Sequence, residues 1–116
     1  INTNTNNNIL KAWKKAIATS KIKYRFDYCI KNLEFMNILV PCMNVKVVDS
    51  RFRLFSYDKQ DWTLKLSARL INAPIEFVDY IIYYALSSLL CSNQIDLCVM
   101  LNKTLPENIR KYFILS

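Results

Sequence analysis

The sequence contains no glycine and no histidine, and only three prolines among its 116 residues. Without histidine, the chain lacks the commonest general base and the commonest zinc ligand. Without glycine, no loop can follow the P-loop or dinucleotide-binding patterns, in which the backbone approaches a phosphate closely. These absences argue against a conventional enzyme, and we expect neither a cofactor nor a small-molecule substrate.

The overall composition indicates one folded domain. Hydrophobic residues make up 53% of the chain and charged residues 22%, which is too apolar for a disordered protein. Asn, Ile, Lys, Tyr and Phe account for 49 of the 116 residues, a bias typical of an AT-rich genome. An organelle, parasite or endosymbiont genome explains such a bias, and we expect an intracellular protein, with the mitochondrion and the plastid as candidate compartments.

Positive charge is concentrated in the first half of the sequence. Residues 1–53 carry ten basic and three acidic side chains, whereas residues 54–116 carry six of each, and the net charge is +7. A basic half on a small domain favours contact with a phosphate backbone or an acidic protein. The alternative is a solvated helix face in a lysine-biased proteome. The candidate contact residues are Lys21, Lys23, Arg25, Arg51 and Arg53.

The cysteines show no metal-binding pattern. Because no two of them form a CxxC pair, a zinc ribbon is disfavoured, and free, buried thiols in a reducing compartment are expected. The longest uncharged run, residues 80–95, is shorter than the roughly 20 apolar residues needed to cross a bilayer, so no membrane span is predicted. The four cysteines are Cys29, Cys42, Cys91 and Cys98.

The first half of the chain reads as a helix followed by strands. We expect residues 1–8, rich in Asn and Thr, to form a disordered or extended tail, and residues 9–116 to form the domain. Helical spacing runs from Ile9 to about Asn37, although residues 21–28 alternate as a strand would. The strands are predicted at residues 44–49, 51–56 and 62–69, the last two joined by a hairpin loop at 57–61.

The second half reads as helices. Pro74 suits the first turn of a helix, and an apolar stripe follows it to Leu90, while the opposite side carries Tyr80, Tyr83, Tyr84, Ser87, Ser88 and Cys91. Further helices are predicted at residues 94–101 and 106–113. The predicted fold class is α+β, with an N-terminal helix, a small antiparallel sheet containing a hairpin, and C-terminal helices.

Several short motifs occur in a fixed order along this α+β chain. They are Ser50 to Ser56, Leu66 to Leu70, Ala73-Pro74, Asp79 to Leu89 and Pro106. In this order they resemble the YgjP-like metallopeptidases, relatives of the SprT-like zincins, with no gap from Ala73 to Val99. The resemblance implies a zincin-like domain. A competing interpretation is an unrelated α+β domain whose tyrosine stripe fills the core or an interface.

The resemblance also shows what the sequence has lost. The family's two helical zinc ligands fall on Tyr84 and Ser88, its general-base glutamate on Ala85, and its third ligand on Gln94. A zincin needs imidazoles at i and i+4 and a carboxylate beside the first. The resemblance therefore implies a catalytically inactive, degenerate metallopeptidase-like domain, a pseudoenzyme without a metal. We expect Tyr84 to be mostly buried and to fill the former site, with its hydroxyl bonded to Ser88 or Gln94.

The expected role is that of a structural or interaction subunit in a larger assembly, with RNA as one candidate component. The basic N-terminal half is the expected contact surface. The alternative is a stand-alone nucleic-acid-binding module that uses the same surface. Co-purification with fixed partners favours the first, and a monomer with strongly salt-dependent nucleic-acid binding favours the second.

Overall fold

A computed structural model describes residues 3–50 and 52–115, with side chains described for residues 7–50 and 52–112. The first element is helix α1, Thr3–Phe35, and helix α2, Ile75–Leu90, is the most buried one. Between them lie strands β1, β2 and β3 and a short 3-10 helix, and after them lie α3 and α4. Their bounds are β1 Asn44–Val48, β2 Phe55–Asp58, β3 Thr63–Ser67, the 3-10 helix Ala68–Asn72, α3 Gln94–Thr104 and α4 Arg110–Leu115.

Helix α1 is long because nothing in residues 3–35 interrupts it. The stretch 21–28, which alternates like a strand, is helical, and Ala18, Ile22, Phe26, Cys29 and Leu33 are buried at helical spacing. The helix begins at Thr3, where a disordered or extended tail was expected, and residues 1 and 2 of that tail lie outside the described residues. That tract contains no proline or glycine, and it continues a helix that is anchored from residue 18 onward.

Two non-glycine residues adopt the left-handed backbone conformation in this glycine-free chain. Asn37 has φ 64° and ends α1, where Ile38 N–H donates to the Leu33 carbonyl at 2.9 Å, a hydrogen bond typical of a Schellman motif. Trp62 has φ 50° in the turn before β3. Turns that need a positive φ therefore form without glycine, with Asn37 and Trp62 at the left-handed positions.

The sheet has the order β1-β3-β2 and is mixed. β2 pairs antiparallel with β3 as the predicted hairpin, but β1 pairs parallel with β3, which corrects the expected antiparallel sheet. The chain reverses direction after β1 and again after β2, so β3 runs in the direction of β1. β3 is the central strand, and all of its residues except Lys65 are buried, including Thr63 and Ser67.

Helix α2 is buried on most of its surface. The predicted stripe is confirmed at Ile82, Ala85 and Leu86, but Tyr80 and Tyr83 on the supposed polar side are buried as well. The reason is that α1, β2, α3 and α4 all pack against α2, so little of the helix faces water. No helix in the described part of the chain is long and apolar enough to cross a membrane.

Candidate functional site

The residues at the zincin ligand positions lie on α2 and at the start of α3. Tyr84 and Ser88 are one helical turn apart on α2, and both are half-buried. Ala85, at the position of the catalytic glutamate, is fully buried. Gln94 is the first residue of α3 and is exposed, and Asn93 caps this helix by accepting a hydrogen bond from the Asp96 N–H. The i, i+4 spacing of the zincin motif is therefore present, but the side chains that bind zinc and activate water are absent from these positions.

Aromatic rings occupy the surroundings of Tyr84. Its ring centroid lies 5.8 Å from that of Phe55 on β2 and 6.0 Å from that of Tyr80. Tyr80 in turn lies 5.9 Å from Tyr112 on α4, and such separations are typical of favourable ring pairs. Tyr84 packs as predicted for a space-filling residue, but it is half-buried rather than mostly buried.

The predicted hydroxyl contact of Tyr84 is not formed. Among the described residues, no hydrogen bond joins Tyr84 to Ser88 or to Gln94. Gln94 is exposed at the start of α3. Within the part of the chain whose side chains are described, the hydroxyl oxygen of the neighbouring Ser87 is buried without a hydrogen-bond partner.

These residues do not fit a zinc ion. The phenol, hydroxyl and amide of Tyr84, Ser88 and Gln94 are weak zinc ligands when neutral, and zinc sites use thiolate, imidazole or carboxylate donors. Within the described residues, no three His, Cys, Asp or Glu side chains are grouped closely enough to hold a metal. We therefore derive no chemical step through a metal at this place.

A buried ion pair joins α1 to the same α2 helix. Arg25 Nε donates to Asp79 Oδ1 at 2.8 Å, and Arg25 Nη2 donates to Asp79 Oδ2, which makes the contact bidentate. The Arg25 guanidinium carbon also lies 4.3 Å from the ring centre of Tyr28. The hydrogen bond to Asp79 raises the pKa of Arg25. This bidentate pair links α1 to α2 across 54 residues of sequence.

Polar side chains continue from this ion pair into the core. Asn32 Nδ2 donates to the Tyr83 hydroxyl at 2.9 Å, and Tyr83 and Cys29 are fully buried. Burial raises the pKa of the Cys29 thiol and that of the Tyr83 hydroxyl, so both stay protonated at neutral pH. A thiol held in this form is a poor nucleophile, and the cluster is therefore structural.

The other cysteines differ in exposure. All four are free, but Cys42 is exposed and Cys91 and Cys98 are half-buried, so the expectation of buried thiols is correct only for Cys29. Cys42 is exposed because it lies in the loop between α1 and β1.

The predicted basic contact residues lie on different elements of the fold. Lys21 and Lys23 are exposed on α1, and Arg53 is exposed in the loop before β2. Arg25 is occupied by Asp79, so its guanidinium is not available for a phosphate. Arg51 lies outside the described residues.

Sequence reasoning missed a cationic groove beside α1. Lys11, Lys14 and Lys15 line a depression of about 700 Å³, whose other wall comes from the end of β1 and the 3-10 helix. The spacing i, i+3, i+4 puts these three side chains on one helix face. Two features of the sequence indicate this groove: the spacing of the three lysines, and the absence of any acidic residue before Asp27.

Comparison with known proteins supports a fold and no more. No protein-family model and no curated protein matches the sequence. Among solved structures, the crystal structure of the metallopeptidase zymogen jannalysin from Methanocaldococcus jannaschii superposes with a TM-score of 0.64. The match covers 81% of this chain and 90% of that chain at 19% identity. The chain has a metallopeptidase-like fold.

The structural similarity bears on the expected fold and on the expected family resemblance. It confirms the α+β architecture and the coarse part of the resemblance, a zincin-like metallopeptidase fold. At 19% identity the likeness does not extend to activity or to the YgjP-like family in particular. The function of this chain therefore depends on the side chains that it places on the metallopeptidase-like fold.

Proposed function

We propose that this chain is a non-catalytic domain with a metallopeptidase-like fold, and that it acts as an interaction subunit of a larger assembly. The observation that carries the proposal is the set of residues at the zincin positions. Tyr84 packs against Phe55 and Tyr80, Ala85 is enclosed in the core, and Gln94 is exposed at the start of α3. A water-activating metal needs donors and a base that these side chains do not supply.

The surface of α1 supports the interaction role. Between residues 7 and 26 the helix carries exposed lysines and no acidic side chain, and its single arginine is paired with Asp79. Such a surface attracts an acidic protein or a phosphate backbone. We propose an organellar assembly as the setting, on the basis of the AT-rich composition. The exposed lysines are Lys11, Lys14, Lys15, Lys21 and Lys23.

The interaction role predicts a complex of fixed stoichiometry. The native protein should elute with its partners in a constant ratio on size exclusion, and Lys21→Glu/Lys23→Glu should reduce partner retention roughly tenfold, since each reversal replaces attraction by repulsion. The matched control is Lys59→Glu/Lys65→Glu, which makes the same charge change on the β2–β3 hairpin. A native protein that elutes as a free monomer would contradict the proposal.

Stand-alone RNA binding is a second candidate function, favoured by exposed aromatic rings beside the lysines. Trp13 is 61% exposed and Tyr24 is 68% exposed, both on α1. Bases of single-stranded RNA stack on such rings while lysines contact the phosphates. In that case the isolated monomer binds RNA, and its affinity falls steeply with salt.

A further inference from the structure

Two adjacent grooves along α1 share Ile71 as a lining residue, and together they are called the trough below. The cationic groove at Lys11, Lys14 and Lys15 has Ile71 of the 3-10 helix in its wall. A second groove of about 490 Å³ lies between α1 and the start of α2, and Ile71 is in its wall as well. The trough therefore runs from the N-terminal half of α1, past Ile71, to the beginning of α2.

The two ends of this trough differ in chemistry. One end carries Lys11, Lys14 and Lys15, and among its described lining residues Asp49 is the only acid. None of these three ammonium groups is in an ion pair with another described residue. The end is therefore a site for negatively charged groups.

The other end of the trough is apolar. Its walls include Tyr24, Ile71 and Ile75, and Ile75 is 62% exposed although it is the first residue of a well-packed helix. Ser20, Lys21 and Arg25 also line this end, and the Arg25 guanidinium is paired with Asp79. Covering an isoleucine of this exposure removes apolar surface from water and so favours binding.

We propose that the trough binds a linear segment of a partner protein that has acidic residues at one end and an apolar anchor at the other. This inference rests on the proposed interaction role and names the kind of partner. Charge and shape carry it: the lysine end matches carboxylates, and the apolar end at Ile75 needs an aliphatic or aromatic side chain. A base of RNA can stack on Tyr24, so the oligouridylate in the test below distinguishes RNA from a peptide. A second copy of the chain is disfavoured because it brings another net charge of +7.

The length of the trough sets the spacing within the segment. From Lys14 to Tyr24 is ten residues of α1, or about 15 Å at the rise of an α-helix. An extended peptide advances about 3.3 Å per residue. The acidic group and the apolar anchor should therefore be separated by about four residues.

The test uses three fluorescein-labelled peptides and the full chain, measured by fluorescence anisotropy. Each peptide has four glutamates and a Leu-Ser-Ser-Phe anchor, separated by one, four or eight serines. We expect the four-serine peptide to bind best, and to lose roughly tenfold in affinity when its glutamates become glutamines or its anchor becomes serine. Lys14→Glu/Lys15→Glu and Ile75→Glu should each weaken it by a similar factor.

Matched variants separate the trough from general charge and general apolar surface. Lys59→Glu/Lys65→Glu repeats the double charge reversal, and Ile95→Glu repeats the apolar-to-acid change at another exposed helix start, where Ile95 is 76% exposed. Both should change the affinity less than about twofold at a salt concentration that screens the long-range effect of net charge.

Three results would overturn the inference. They are failure of all three peptides to bind, equal weakening by the trough and control variants, and tighter binding of a labelled oligouridylate that Ile75→Glu does not affect. None of these results touches the proposed interaction role, which fails separately if the native protein elutes without partners.

Discussion

Tyr83→Ala is expected to reduce the free energy of unfolding by about 4 kcal/mol. Tyr83 is fully buried on α2, so its truncation leaves a cavity of most of a phenol ring, and changes of this kind cost about 3–5 kcal/mol. It also leaves the Asn32 amide without its hydroxyl partner at 2.9 Å. Urea unfolding followed by circular dichroism measures the loss.

Two further variants make this prediction specific. Tyr83→Phe removes the hydroxyl alone and should cost about 1 kcal/mol. Tyr84→Ala, at the adjacent half-buried position, should cost about half as much as Tyr83→Ala, because part of its ring already faces water. If Tyr84→Ala is the more destabilising of the two alanine variants, the burial assigned to α2 is wrong.

Arg25→Ala is expected to cost about 2 kcal/mol. It leaves the Asp79 carboxylate, whose side chain is 6% exposed, without its bidentate partner. Loss of one member of a buried pair costs about 3–5 kcal/mol, and we expect less here because the Arg25 side chain is 22% exposed. The same urea experiment measures the difference between the variant and the unaltered chain.

The controls for the Arg25 prediction are a surface pair and a double replacement. Lys111→Ala breaks the exposed contact with Glu76, 3.4 Å long, and should cost no more than about 0.5 kcal/mol. Arg25→Met/Asp79→Leu removes both charges and should recover most of the loss, since no buried charge is left unpaired. An Arg25→Ala variant as stable as Lys111→Ala would show that the pair does not anchor α1.

Local pattern predicted most of the elements. The helical spacing of Phe77 to Leu90, with Pro74 before it, located α2 almost to the residue. The alternation around Leu64 and Leu66 located β3, because a strand with one buried face repeats every two residues. These features depend on neighbours in sequence, which is why the sequence alone was sufficient.

Features that depend on distant parts of the chain were missed. Whether β1 lies beside β2 or β3 is decided by which strand is most buried, and this cannot be read from β1. The pairing of Arg25 with Asp79 spans 54 residues, so Arg25 was assigned to a contact surface. The sequence sign of a buried pair was Asp79, which lies within the apolar part of α2 after the first-turn Glu76.

The candidate site was predictable in its chemistry but not in its packing. The loss of zinc ligands at Tyr84, Ser88 and Gln94 follows from the sequence once the motif spacing is aligned. The burial of Tyr83 rather than Tyr84 does not, because it depends on where α1 crosses α2. The groove at Lys14 and Lys15 likewise exists only because the 3-10 helix packs alongside α1.

Zinc content and peptide hydrolysis, measured together on one preparation, show whether this metallopeptidase-like fold has lost its metal and its activity. The full chain is incubated with excess zinc, dialysed, and assayed by elemental analysis and on casein, with Cys42→Ser alongside to remove binding by the exposed thiol. We expect well below one zinc ion per chain and no hydrolysis, because Tyr84, Ser88 and Gln94 are weak zinc ligands. One zinc ion per chain that survives dialysis, with casein cleavage that a chelator abolishes, would contradict it.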